Sequence, residues 1–278
     1  LPADPARIFV DTGFRFAYLP HLTGARMTLI ALDAEYGPTI TDITTTEEKF
    51  FLPPGEFGSG TLAGGFAVAQ QACRPGDAAP PSTQNCERPL LYASQRFWPG
   101  LRRFTVETGL DRLTWSSGSE KLLLAVNPSE ADDRPFMGDI EFIEPTVGDR
   151  LLAVHTTPPS LSLIDTSLGP DGEPLVQPID SVPLCHNPNI LAVHRPADGE
   201  PMAFVSCYSA DAVAAVALGS FTVVATIAVD DGPNELVVDA PRRRLYVVHT
   251  LASTIGVVDL DPRSPRYLEM VARVGLRG

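Results

Sequence analysis

Two stretches of this chain align residue for residue without a gap: GDIEFIEPTVGDRLLAVHTTPPSLSLIDT, beginning at Gly138, and GPNELVVDAPRRRLYVVHTLASTIGVVDL, beginning at Gly232. The alignment sets His155 on His249 and Asp165 on Asp259. A repeat of this kind narrows the fold sharply, because one copy is a supersecondary unit that cannot bury its apolar faces alone and must stack on its neighbours. In the second copy, residues 236–239, 245–248 and 255–259 are short runs rich in β-branched and aromatic side chains, the first two joined by the polar turn Ala240-Pro241-Arg242-Arg243. Such runs predict three strands of a meander. Residues 267–274 add a fourth, giving a unit of about forty residues, the size of one blade of a β-propeller.

The same register runs through the rest of the chain. Ile8-Phe9-Val10-Asp11 matches Leu236-Val237-Val238-Asp239, and ten residues beyond each aspartate stand His21 and His249. Residues 66–70, 90–94 and 101–106 read as strands of a second unit, while the pattern weakens between 111 and 136, where residues 122–126 read as a strand. Further on, Asn187-Pro188-Asn189-Ile190 matches Gly232-Pro233-Asn234-Glu235, and Cys207 takes the place of His249. The expected fold is therefore all-β: a single β-propeller domain over residues 1–278, with four-stranded antiparallel blades at residues 6–50, 60–118, 138–183, 185–230 and 232–275. The glycines between Gly58 and Gly64 have the spacing of a phosphate loop, but Pro53-Pro54 precedes them and the strand-like run 66–69 follows, so they read as a turn.

A formal charge of −13 opposes binding to a polyanion or an acidic membrane surface, so no nucleic acid is expected as a partner. Residues 212–229 carry no charge, yet their Val, Thr, Ile and Phe content and the break at Leu218-Gly219-Ser220 fit two strands, and no transmembrane span is expected. The 27 prolines and 22 glycines fall between the apolar runs, where they punctuate short strands. The chain opens without Met or a basic and apolar leader, and closes on Val274-Gly275-Leu276-Arg277-Gly278 in the approach to another first strand. It is expected to be a segment of a longer polypeptide or to complete its ring with another chain, a closed five-bladed ring being the alternative.

Four cysteines permit three pairings. Cys73 and Cys86 bracket the loop between the first two strands of the second unit, and Cys185 and Cys207 bracket the corresponding hairpin of the fourth. Facing ends of a hairpin lie at bridging distance, so Cys73–Cys86 and Cys185–Cys207 are the expected disulfides, with an oxidising compartment as their consequence.

Leu245-Tyr246-Val247-Val248-His249, followed by Ile255-Gly256-Val257-Val258-Asp259, resembles the repeat of the YVTN or YncE-like propellers, in which a Tyr-Val-Thr-Asn run precedes a Val-Ser-Val-Ile-Asp run; Gly232-Pro233 resembles the pair that opens such repeats. This chain places His where the family has Asn. The resemblance implies a propeller, usually seven-bladed, in exported, periplasmic, surface or lipid-anchored bacterial proteins, and it implies little about chemistry, because these repeats serve scaffolds, binding modules and enzymes alike.

His21, His155 and His249 share one repeat position at the end of a second strand. Facing a central axis they would form a ring of imidazoles able to hold a metal. The structural alternative is a side chain that closes the turn into the third strand by hydrogen-bonding backbone. Asp165 and Asp259 end third strands, where a carboxylate caps a turn. No catalytic motif stands out, and no cofactor is expected. The function read from these residues is a non-catalytic, exported propeller that binds a protein, peptide or glycan at the cell envelope or surface. The rival is a propeller enzyme of the lactonase or hydrolase type, or a redox protein with a metal in the central channel.

Overall fold

The computed structural model describes residues 4–11, 16–24, 26–33, 39–45, 64–71, 90–95, 101–106, 113–115, 136–144, 149–170, 174–197 and 199–275. Among the described residues, twenty strands form five four-stranded sheets, and in each the spatial order follows the chain. The first sheet holds β1 (Phe9–Val10), β2 (Phe16–Pro20), β3 (Met27–Asp33) and β4 (Thr39–Thr45); the second holds β5 (Gly65–Gln70), β6 (Leu90–Gln95), β7 (Leu101–Val106) and β8 (Leu113–Trp115). The third comprises β9 (Phe136–Phe142), β10 (Arg150–Thr157), β11 (Ser160–Asp165) and β12 (Gln177–Pro183). In the fourth are β13 (Pro188–His194), β14 (Met202–Cys207), β15 (Ala212–Ala217) and β16 (Thr222–Ala228), and in the fifth β17 (Pro233–Asp239), β18 (Arg244–His249), β19 (Thr254–Asp259) and β20 (Met270–Val274). The charge-free run thus becomes β15 and β16, and among the described residues no helix is long and apolar enough to cross a membrane.

The repeat register holds strand by strand. The bounds of β11 and β19 differ by 94 at both ends (254 − 160 and 259 − 165), those of β13 and β17 by 45, and those of β14 and β18 by 42, the three-residue difference lying in the longer β13–β14 turn. Asn187 and Gly232, which open β13 and β17, both have left-handed backbone, at φ 55° and 67°. Asn and Gly are the residues that tolerate it, and the following prolines start the strands at fixed φ. Each strand then carries a register shift just inside, at Pro188/Leu191 and Pro233/Glu235. The same register would start β9 at residue 139 (233 − 94), but the strand begins at Phe136. Asp139 stands where Pro233 stands in the later copy, so no proline sets the start and pairing runs upstream.

The chain divides into two compact units, Leu1–Leu151 with Ile164–Pro178, and Leu152–Leu163 with Ile179–Gly278. In the first, Tyr18, Met27, Leu29, Val68, Leu91, Ala93 and Phe104 form one buried cluster, and Tyr18 meets Phe104 edge-on with ring centroids 6.0 Å apart. Phe142 meets Tyr92 the same way at 5.8 Å. In the second unit, β14 and β15 are buried along their whole length, whereas β18 alternates between buried and half-buried residues. The sequence of β15, Ala-Val-Ala-Ala-Val-Ala, is poor in strand propensity. It holds because β14 and β16 pair on its two sides and its small side chains suit a strand covered on both faces.

Candidate ligand-binding site

The second unit carries a cleft of about 940 Å³ where the turns of the fourth and fifth sheets meet. Three turns contribute: β13–β14, from His194 to Met202; β17–β18, at Ala240, Pro241 and Arg243; and β19–β20, from Leu260 to Leu268. Much of the lining is aliphatic, with Val224, Met202 and Leu268 beside prolines of each turn. Against it stand Arg195, Arg243, Arg263, His194 and Tyr267.

Hydrogen bonds fix these groups. The Arg243 Nη1 donates to Asp261 Oδ1 at 2.8 Å, and Arg263 reaches the same oxygen through its backbone N–H and its Nε. Asp261 in turn donates its N–H to Asp259 Oδ1, so the aspartates cap the turn after β19. Glu200 Oε1 accepts the N–H groups of Gly219 and Ser220, closing the β15–β16 turn. The Tyr267 hydroxyl lies 3.1 Å from Met202 Sδ, and burial raises its pKa. Arg243 holds left-handed backbone, φ 53°, at the end of its turn. His194 is 6% exposed, and its Nδ1 is buried with no hydrogen-bond partner among the described residues. Burial first, and then the charge of Arg243, push its pKa down, so the ring is neutral at pH 7.

The histidines singled out in the sequence lie elsewhere. His21 is buried, with Nε2 2.9 Å from Thr28 Oγ1 at the start of β3. His249 is fully used: Thr254 donates its hydroxyl to Asp230 Oδ2, so its oxygen accepts from His249 Nδ1 at 3.0 Å, and Nε2 accepts the Asp230 N–H at 3.2 Å. The ring therefore ties the β18–β19 turn to the approach to β17. Gly256 makes room for it, since a Cβ there would stand 2.7 Å from His249 Cε1. At the equivalent of Thr254, Ser160 donates to the Pro158 carbonyl, and His155 Nε2 stays buried with no hydrogen-bond partner among the described residues. Burial lowers the His155 pKa to about 4. Among the described residues no group of three or more His, Cys, Asp or Glu side chains is placed to hold a metal ion.

Cys185 and Cys207 form a disulfide with Cα atoms 5.7 Å apart, as their places on the hairpin require. Cys73 and Cys86 lie outside the described residues, as do residues 58–63 and 122–126. Arg102 and Arg103 are buried on β7. The cleft itself was missed in the sequence. Its one signal was the Arg-rich turn before Leu245, unusual in so acidic a chain.

No family model and no curated protein matches the sequence. Solved structures do match in three dimensions. A candidate 6-phosphogluconolactonase from Bacteroides uniformis superposes with a TM-score of 0.62 at 13% identity, covering 94% of this chain and 67% of that one. A functionally unknown protein from Desulfotomaculum acetoxidans gives 0.58 at 12% identity, with 100% and 72% covered. The dihydro-heme d1 dehydrogenase NirN in complex with DHE gives 0.54 at 13%, with 98% and 56% covered. The chain is a multi-blade β-propeller. At these identities the likeness is one of fold, and the site must speak for its own chemistry.

Proposed function

We propose that this propeller, of the YVTN-like repeat type, is an exported ligand-binding module of the cell envelope or surface that seats part of a protein, peptide or glycan in the cleft between the fourth and fifth sheets, without a cofactor. The observation that carries the reading is the lining: guanidinium and hydroxyl donors set over an aliphatic floor, in a volume typical of ligand sites. These are groups that hold a ligand. Among the described residues the lining presents no serine, threonine or cysteine beside its histidine, the pairing of Ser–His and Cys–His nucleophiles. Export is supported by the Cys185–Cys207 bridge, since disulfides persist in oxidising compartments.

The likeness to candidate lactonases supplies the rival reading, lactone hydrolysis. Calorimetric titration with a panel of peptides, glycans and sugar lactones separates the two. A ligand bound at one per chain and recovered unchanged is the expected result; a lactone opened with turnover would replace the binding reading by an enzymatic one.

A further inference from the structure

Each of the five sheets ends on its fourth strand, and an end strand offers a row of unpaired backbone groups to any chain that can pair with it. Four of these strands carry features that blunt such an edge. β4 has Asp42, β8 is three residues long, β12 has Pro178, Asp180 and Pro183, and β20 has Arg273. β16, Thr-Val-Val-Ala-Thr-Ile-Ala, has none of them: it runs for seven residues without a charge, a proline or a glycine, the composition most prone to pairing between chains. Apart from buried Ile227 and half-buried Ala225, it is exposed. Its bulge, at Val224, has counterparts in β4 and β20 and does not set it apart.

The register fixes which groups face outward. Val229 donates its N–H to the Asp211 carbonyl across the β15–β16 pair at 3.0 Å. Residues of an antiparallel strand turn alternately to one side and the other, so Ile227 and Ala225 also face β15, while Thr226 and Ala228 present N–H and C=O to the open edge. A second β16 laid antiparallel against the first, with Ile227 opposite Ile227 on the two-fold axis, sets Thr226 against Ala228 in both directions. Each of those two pairs exchanges two N–H···O=C bonds, Ala225 meets Val229, and no like charges are opposed. Asp230, the next residue, is held through both carboxylate oxygens by Arg273 Nε. The charge of the protein lies largely elsewhere: the unit that contains β16 has eight arginines against eleven acidic residues, 8 − 11 = −3 of the chain's −13. A foreign strand would have to bring a matching register and charge, whereas β16 supplies both to itself, as an isologous contact requires.

We propose that β16 is a self-association edge, through which two copies of this chain pair β16 with β16, antiparallel, into one continuous sheet. The contact is separate from the binding reading of the cleft, to which β16 contributes Val224 alone. Sedimentation velocity of the whole chain over a wide range of concentration should show the 29.8 kDa monomer giving way to a dimer. Amide exchange, followed residue by residue by NMR, should slow by about tenfold or more at Thr226 and Ala228 on dimerisation and stay unchanged along β20. Thr226→Pro removes an outward N–H, a change that an edge strand accepts, and should leave the protein monomeric at every concentration. Thr226→Lys, which sets a charge into the pairing, should do the same, while Ala272→Lys, at an exposed position of β20, should dimerise as the wild type does. A wild type that stays monomeric, a dimer that survives Thr226→Lys, or one whose Thr226 and Ala228 amides exchange as in the monomer would overturn the proposal. A monomer in which a synthetic Thr-Val-Thr-Val-Thr-Val peptide slows those amides would overturn it too, by giving the edge to a foreign strand.

Discussion

Replacing His155 by Asn should abolish a specific part of the protein's acid sensitivity. The imidazole is 1% exposed, its Nε2 has no partner among the described residues, and burial lowers its pKa from 6.5 to about 4. Above pH 6.5 the ring is neutral in both folded and unfolded chains and contributes no pH dependence. Between pH 6.5 and 4 the unfolded chain takes up a proton that the folded one refuses, so stability falls as pH falls. With 1.36 kcal/mol for each pH unit, the fall from 6.5 to about 4 corresponds to about 3 kcal/mol lost across that window. Other groups do not blur the comparison. Asp239, hydrogen-bonded by Arg242, and Asp261, by the Arg263 N–H, sit below the usual carboxylate value and titrate at more acid pH. His194 and His249, both lowered by burial, act with the same sign in wild type and variant and cancel. Urea unfolding at pH 7 and pH 4.5 measures the difference. Wild type should lose most of that 3 kcal/mol more than His155→Asn over the interval; parallel losses would refute the assignment of a neutral, buried imidazole.

Three further outcomes follow from the geometry. Converting Cys185 and Cys207 to Ala opens a bridge between residues 22 apart and should lower stability by about 3 kcal/mol, read as a drop in thermal midpoint that reductant reproduces in the native protein. Gly256→Val sets a side chain against the His249 ring and Met270 Sδ, with contacts from Cβ alone of 2.7 and 2.8 Å, and should cost about 1–3 kcal/mol in chemical denaturation, while Val274→Ala, at an exposed position, should be nearly neutral. Arg243→Gly relieves a left-handed backbone worth about 1 kcal/mol and loses a part-exposed ion pair to Asp261 worth under about 1 kcal/mol, so its unfolding free energy should stay within about 1 kcal/mol of wild type.

The fold was legible because strand pairing in a repeat protein is written in local pattern. Gly232-Pro233 and Asn187-Pro188 announce first strands through the backbone they permit, and the runs that follow alternate or fill as burial demands. The Cys185–Cys207 bridge followed from the same register. β9 starts at Phe136, upstream of Asp139, which stands where Pro233 stands in the later copy and lacks the constraint a proline imposes. The cleft was not legible, since it is assembled from turns that share no motif: His194 and Arg195 end one hairpin, Arg243 another, and Arg263 and Tyr267 a third. Repeat symmetry directed attention to His21, His155 and His249, which are not among the lining residues of this cleft. The residue that distinguishes the cleft, His194, stands outside the repeated histidine position and gave no sign in the sequence.

The most direct measurement is a crystal structure of the protein with the tightest-binding ligand of the calorimetric panel. That ligand should lie chemically unchanged in the cleft between the fourth and fifth sheets, against Met202, Val224 and Leu268. A ligand bound on another surface, or a lactone found opened in the cleft, would contradict the binding reading.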